Sequence, residues 1–144
     1  MSKDITPAAS QDRSLAKGIA AGLAAGLVGI VAKTLAERMF APHASNAKSS
    51  HPVHNGDRIP WEFGAITGAT YGALAEYYPA ATAKEGAAFG MALETLTHEN
   101  PLPALGIALP VGSETMRERA SELTSHVVYG LTVEFVRRAI RRIL

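Results

Sequence analysis

Glycines at four-residue spacing are the feature that most constrains how this chain can fold. Gly18, Gly22 and Gly26 have this spacing within the apolar run GIAAGLAAGLVGIVAKTLAE. Four residues turn an α-helix by about 400°, so each glycine returns to nearly the same face, one turn higher. Lys33 and Glu37 continue on that face. Small residues and charges on one side are typical of membrane helices that pack closely and turn ionisable groups into the protein.

Three later segments have the same spacing. They are Gly64–Gly68–Gly72–Glu76, Gly86–Gly90–Glu94–His98 and Glu122–His126–Gly130–Glu134. The residues between the glycines differ from segment to segment, so the spacing indicates a shared rule of helix packing and not a sequence repeat. Nine of the thirteen glycines belong to these four series and are predicted to lie at helix contacts: Gly18, Gly22, Gly26, Gly64, Gly68, Gly72, Gly86, Gly90 and Gly130.

The four series predict an all-α fold, a four-helix transmembrane bundle with glycine-spaced helix contacts. The helices are expected at residues of about 15–40, 61–78, 83–99 and 116–143. Residues 1–14 are a polar tail, and residues 15–144 form a single helical membrane domain. Thr82 is predicted to cap the third helix. The apolar segment 101–112, which three prolines interrupt, is predicted to be non-helical or a short helix against the bundle.

The composition is polar for a membrane protein, with 47% hydrophobic residues and a mean hydropathy of +0.07. Heavy use of glycine and alanine, with a polar tail and loop, accounts for these values. The charge-free run 18–32 rises only about 22 Å, less than the hydrocarbon core, and Lys17 and Lys33 can extend it by snorkelling. A cleaved signal peptide is the alternative, which the long polar lead disfavours.

Several classes of function are excluded by residue content. A net charge of +1, without basic residues interleaved with aromatics, gives no case for nucleic-acid binding. The chain has no cysteine and no phosphate-loop or Ser-His-Asp pattern, so we predict no catalytic residue, no cofactor and no enzyme. Glutamate and histidine four apart resemble bundle metal ligands, but the di-metal motif uses three-residue spacing. We therefore predict no metal site.

The distribution of lysine and arginine predicts the topology. Four spans put both termini on one side. The tail, the second turn and the C-terminus hold eight basic residues: Lys3, Arg13, Lys17, Lys84, Arg137, Arg138, Arg141 and Arg142. The other two loops hold five: Arg38, Lys48, Arg58, Arg117 and Arg119. This bias predicts a multi-pass protein of the bacterial inner membrane with both termini in the cytoplasm.

With that topology the ionisable residues divide by depth. An outer cluster comprises Lys33, Glu37, His98, Glu122 and His126, and an inner pair comprises Glu76 and Glu134. A charge at bilayer depth costs about 3 kcal/mol or more unless it is paired or hydrated. These groups therefore pair with one another, line a wet cavity or lie outside the hydrocarbon. Structural ion pairs are the alternative to a functional role for each of them.

Residues in all four predicted helices reproduce the spacing of a known family. The first helix contributes Gly22, Ala25, Gly26, Val28, Lys33 and Glu37. The middle of the chain contributes Ala75, Glu76, Pro79, Gly86, Gly90, His98, Pro103, Gly106, Pro110 and Val111. The last helix contributes Ser121, Glu122, His126, Glu134, Arg137, Arg138 and Arg141. On these positions, over nearly all of residues 18–142, the chain resembles the YagU-like family of small bacterial inner-membrane proteins.

This resemblance implies an integral inner-membrane protein linked with survival in acid, in a family whose biochemical activity is not established. The chain departs from the family by a shorter first loop and by Glu94, where a member has an uncharged amide. The leading hypothesis is proton or ion binding, passage or pH sensing through the outer cluster. The alternative is a non-catalytic scaffold with structural ion pairs. The expected partners are the lipid bilayer, a second copy of the chain, and a proton or small ion.

Overall fold

The computed structural model describes residues 13–40, 61–99 and 116–144, without the side chains of residues 98 and 99. The described residues form helices and turns and contain no strand, which confirms the predicted all-α class. The helices are α1 (Leu15–Phe40), α2 (Trp61–Tyr77), a 3-10 segment (Pro79–Gly86), α3 (Ala87–Glu94), a π turn (Thr95–Glu99) and α4 (Met116–Arg141). The segment 101–112 lies outside the described residues.

Helices that follow each other in the chain run antiparallel, and α1 packs against both α2 and α4. The N-terminal half of α1 lies beside the C-terminal half of α2, because Gly18 contacts Gly72. The start of α1 also meets the end of the chain, where Lys17 Nζ donates to the Leu144 carbonyl at 2.8 Å. Helix α3 packs on α4, where Gly90 contacts His126. The arrangement places the start of α1, the last residues of the chain and the α2–α3 connection at one end of the bundle.

Contact between α1 and α2 is made by backbone. A β-carbon placed on Gly22 would lie 2.2 Å from the Gly68 carbonyl oxygen, and one on Gly26 would lie 2.0 Å from that of Gly64. Real β-carbons essentially never approach within 3.0 Å of another heavy atom. The two helices therefore require glycine along this seam, since even a methyl group would force the backbones apart.

The α3–α4 contact repeats this arrangement. Gly86 would place a β-carbon 2.3 Å from the carbonyl oxygen of Gly130, and Gly90 one 2.1 Å from that of His126. Gly29 differs, because its nearest neighbours are the side chains of Val133 and Tyr129 on α4. Glycines therefore allow direct backbone contact along two seams, between α1 and α2 and between α3 and α4, whereas α1 and α4 pack through side chains.

The third helix begins at Ala87, so the predicted start near residue 83 and the Thr82 cap are wrong. The Thr82 hydroxyl donates to the Pro79 carbonyl at 2.9 Å and caps nothing. Lys84, Glu85 and Gly86 all have positive φ, of 54°, 56° and 86°. The local sequence favours a helix here, but the chain must reverse after Pro79 to bring Gly86 against α4. Tertiary contact overrides local preference.

This bundle buries several charged side chains beside its apolar core and exposes many large apolar ones. Lys33, Glu94, His126 and Glu134 are buried. Twenty large hydrophobic side chains are exposed, including Phe135 at 77%. By length and composition, α1 can cross a membrane, and it is alone in this among the described helices. A soluble protein usually buries large apolar side chains and exposes charge, so the exposed apolar side chains and the buried charges are the features of this bundle that need an explanation.

Candidate functional site

Glu134 on α4 is the most buried carboxylate of the described residues, with 1% of its surface exposed. Arg137 holds it through two bonds, from Nε to Oε2 at 2.7 Å and from Nη2 to Oε1 at 3.0 Å. Arg138 Nε also donates to Oε1, and the Tyr71 hydroxyl on α2 donates to Oε2 at 2.8 Å. These bonds join α2 to α4 and compensate the buried charge, as a carboxylate without water requires.

Glu76 near the end of α2 is held in a similar way. Arg141 Nε donates to Oε1 at 2.6 Å and Nη2 to Oε2 at 3.0 Å, a bidentate pair of the kind that is strongest in proteins. The backbone nitrogen of Ser14 donates to Oε2 at 3.3 Å. Arg137 lies 3.9 Å from Oε1 and so connects Glu76 to Glu134. We name this set of Glu76, Glu134, Arg137, Arg138 and Arg141 the arginine network.

A layer of side chains fills the bundle next to the arginine network. The Tyr129 hydroxyl lies 2.6 Å from the Thr67 hydroxyl and donates to the Gly64 carbonyl at 3.2 Å. Tyr71 packs on Phe89 with ring centroids 4.5 Å apart. Tyr71 and Tyr129 are fully buried, as are Ile30 and Val133 beside them. This layer separates the arginine network from the opposite half of the bundle.

The opposite half holds a second set of buried polar groups. Lys33 forms an ion pair with Glu37, in which the lysine side chain is 10% exposed and the glutamate side chain 39%. His126 is 3% exposed, and its Nδ1 lies 3.1 Å from the Glu122 carbonyl oxygen. Ser125 is fully buried and donates to the same oxygen at 2.8 Å.

The helix register brings these groups to one level. Gly29 contacts Tyr129, so Lys33, one turn further along α1, comes to the level of Ser125 and His126 on antiparallel α4. On the other side, Gly90 contacts His126, so Glu94 comes to the level of Glu122. The structure therefore brings Lys33, Glu37, Glu122 and His126 of the predicted outer cluster to one half of the bundle. The side chain of His98 lies outside the described residues.

Two groups of charged residues have positions or contacts that the sequence analysis did not predict. Glu94 was left without a role, although its place in the third series pointed to the same buried level. Arg137, Arg138 and Arg141 entered the sequence analysis only through the topology and the family resemblance, whereas in the structure they bind the inner pair. For Arg137 and Arg138 the signal was their spacing of three and four residues from Glu134, which puts both side chains on its face of the helix.

The described residues contain no group of three or more histidine, aspartate or glutamate side chains that could hold a metal ion. The two clusters therefore offer different chemistry. Arginine is charged at every physiological pH, so the arginine network fixes helices in place. Histidine changes charge between about pH 5 and 8, and among the described side chains of the two clusters only the outer cluster contains one, His126.

Comparison with known proteins gives a family. Residues 27–135 match a family model described as a protein of unknown function, DUF1440. The match spans 109 of the 144 residues and includes the outer cluster and the inner pair. No curated protein and no solved structure matches the chain. Because the matched region covers about three quarters of the sequence, the chain belongs to the DUF1440 family of proteins of unknown function.

Proposed function

We propose that this chain is a multi-pass protein of the bacterial inner membrane with both termini in the cytoplasm. The observation that carries the proposal is the pattern of burial: Lys33 and Glu134 are inside, while Val28, Leu35 and Phe135 are 48%, 53% and 77% exposed. In water such a surface would drive association. Against lipid it is the expected one, and buried charge then faces the protein interior.

The threonines support this proposal. Thr70, Thr95 and Thr124 are exposed, yet each hydroxyl donates to the carbonyl four residues earlier, at 2.9, 3.1 and 2.7 Å. A hydroxyl in contact with lipid has no water partner and must be satisfied by its own helix.

Membrane integration is tested by fractionation and by a reporter. We expect the protein to stay in the membrane pellet after alkaline carbonate, and a C-terminal reporter that is active only in the periplasm to stay silent. Release by carbonate would contradict membrane integration, and an active reporter would contradict the topology.

Within the membrane, we propose that the outer cluster senses external pH. His126 is buried, and protonation of its ring would add positive charge at the level of Lys33. The charged groups near this level come from every helix packed there: Lys33 and Glu37 on α1, Glu62 in the first turn of α2, Glu94 on α3 and Glu122 on α4. Repulsion and water entry would change how α4 packs, which is how histidine clusters switch proteins. The YagU-like resemblance supports a role in acid stress.

The geometry favours sensing over passage of an ion. The layer of Tyr71, Tyr129, Ile30 and Val133 is fully buried between the two clusters. Proton flux into liposomes is the direct test. We expect flux no greater than from empty liposomes, together with loss of acid survival in cells that carry His126→Gln. Flux that depends on His126 would favour passage instead.

A non-catalytic scaffold is the second candidate, and the arginine network favours it. There, both inner carboxylates bind arginines and join α1, α2 and α4. A scaffold needs no titratable group, so cells with His126→Gln would survive acid as well as the parent. The same survival assay therefore separates the two candidates.

A further inference from the structure

We propose that the groove between the 3-10 segment and α4 binds an anionic phospholipid. Its phosphate would lie on Arg138, and an acyl chain would lie along Leu131 and Phe135. This inference rests on the proposed membrane location and adds a ligand site to it.

The groove is a cavity of about 270 Å³ lined by Glu85, Leu131, Glu134, Phe135 and Arg138. Leu131 and Phe135 are 41% and 77% exposed and lie one turn apart on α4. Arg138 follows three residues later on the same face. Along α4 the groove therefore changes from apolar side chains to the Arg138 guanidinium, which pairs with the carboxylates of Glu134 and Glu85. An acyl chain would lie on the apolar part, and a phosphate would reach Arg138 by taking the place of Glu85.

Arg138 divides its guanidinium between two carboxylates. Its Nε donates to Glu134, which is buried, and its Nη1 donates to Glu85, whose side chain is 70% exposed. Glu134 holds the guanidinium in place at the groove. The exposed pair with Glu85 contributes little, because solvent screens it, so a phosphate can replace this carboxylate without breaking the buried pair.

The backbone around Glu85 does not depend on the pair with Arg138. Lys84 and Glu85 have φ of 54° and 56°, a left-handed conformation that residues with a side chain rarely adopt. The backbone contact between Gly86 and Gly130 holds this turn, so the turn can stay in place when the Glu85 carboxylate leaves Arg138. The carboxylate of Glu85 thus occupies the position on Arg138 that a phosphate would take.

Charge at this end selects an anion. Lys17, Lys84 and Arg142 lie at the same end of the bundle as the arginine network, close to the start of α1, the last residues of the chain and the α2–α3 connection. Under the proposed topology this end faces the cytoplasmic leaflet, where anionic lipids attract basic residues. The apolar part of the groove then lies in the acyl region.

Tryptophan quenching by brominated acyl chains tests the site. The probe is Phe135→Trp in a Trp61→Phe background, reconstituted in phosphatidylcholine with a small fraction of brominated phosphatidylglycerol or brominated phosphatidylcholine. We expect several-fold stronger quenching by the anionic lipid at equal fraction. Arg138→Gln should remove the preference and Glu85→Gln should strengthen it. The exposed Arg142→Gln, the matched control for general attraction, should leave it unchanged.

Equal quenching by both lipids would overturn the site while leaving the membrane proposal intact. Loss of preference in Arg142→Gln as large as in Arg138→Gln would also overturn it, because attraction would then be general. If neither lipid quenched the probe and the protein failed to float with the vesicles, the membrane proposal itself would fail. Glu85→Gln keeps the test valid if Arg138→Gln does not fold.

Discussion

The two ends of this bundle both bury charge, but they compensate it with different partners. At one end Glu76 and Glu134 bind arginines, through bonds of 2.6 to 3.0 Å for Arg141 and Arg137. In the other half Lys33 binds Glu37, and a buried histidine, His126, lies on a backbone carbonyl. The four-residue spacing places a carboxylate on the packed helix face at each end. Arginine partners fix one end of the bundle, whereas a histidine allows the other end to change its charge.

The largest effect should come from breaking the arginine network at its most buried carboxylate. Glu134→Gln leaves Arg137 and Arg138 partly uncompensated, and removal of one partner of a buried pair costs about 3–5 kcal/mol. The comparison change, Glu37→Gln, affects a pair whose glutamate is 39% exposed and should cost less, because water can take the place of the lost carboxylate beside Lys33. Unfolding of both variants in mixed micelles measures the difference. Equal losses of unfolding free energy in the two variants would contradict the proposed difference between the two ends.

The second prediction tests whether the stability of the bundle depends on the close backbone contact between α1 and α2. Gly26→Leu puts a side chain where a β-carbon alone would lie 2.0 Å from the Gly64 carbonyl. Overpacking costs about 1–3 kcal/mol, and more where backbones must separate. Ala20→Leu, on the exposed side of α1, is the control and should be close to neutral. Thermal unfolding in detergent compares the two, and a tolerated Gly26→Leu would contradict the close seam.

The third prediction concerns pH. The free energy of unfolding of the parent should fall between about pH 7.5 and about pH 5, because histidine takes up a proton and a positive charge in this range and His126 is buried in the folded bundle. That charge would lie at the level of Lys33. In His126→Gln, which has no titrating group at this position, the fall should be smaller. Glu134→Gln serves as the comparison and should keep the fall. An unchanged fall in His126→Gln would assign it to other groups.

The smallest effect is expected from the exposed ion pair of Arg138. This arginine binds one buried carboxylate, Glu134, and one exposed carboxylate, Glu85, so a buried and an exposed pair can be compared at a single side chain. Glu85→Gln should change the unfolding free energy by no more than about 1 kcal/mol, because the pair is exposed. The same micelle assay measures it against Glu134→Gln. A loss as large as that of Glu134→Gln would mean that the strained 3-10 segment depends on this pair.

The sequence predicted the architecture well where one physical rule dominates. Four-residue spacing of glycine identified the faces on which Gly22 meets Gly68 and Gly90 meets His126, because only glycine allows backbones to touch. It failed at the start of α3, where the positive φ of Lys84 and Glu85 follows from a tertiary contact with Gly130. The sequence also did not predict the ion pair of Glu76 and Arg141, since 65 residues separate them and only the parallel course of α2 and α4 brings them together.

Distance measurement across α1 and α4 at both ends tests the central claim most directly. The chain has no cysteine, so spin labels can be placed on Leu35→Cys with Leu123→Cys in the outer half, and on Ile19→Cys with Ala139→Cys near the arginine network. All four positions are exposed, and the two pairs have the same helix register. From about pH 8 to about pH 5, the account predicts an outer shift of about 1–2 Å or more, the size of switching helix movements, and an unchanged inner distance. An unchanged outer distance, or equal shifts at both ends, would contradict it.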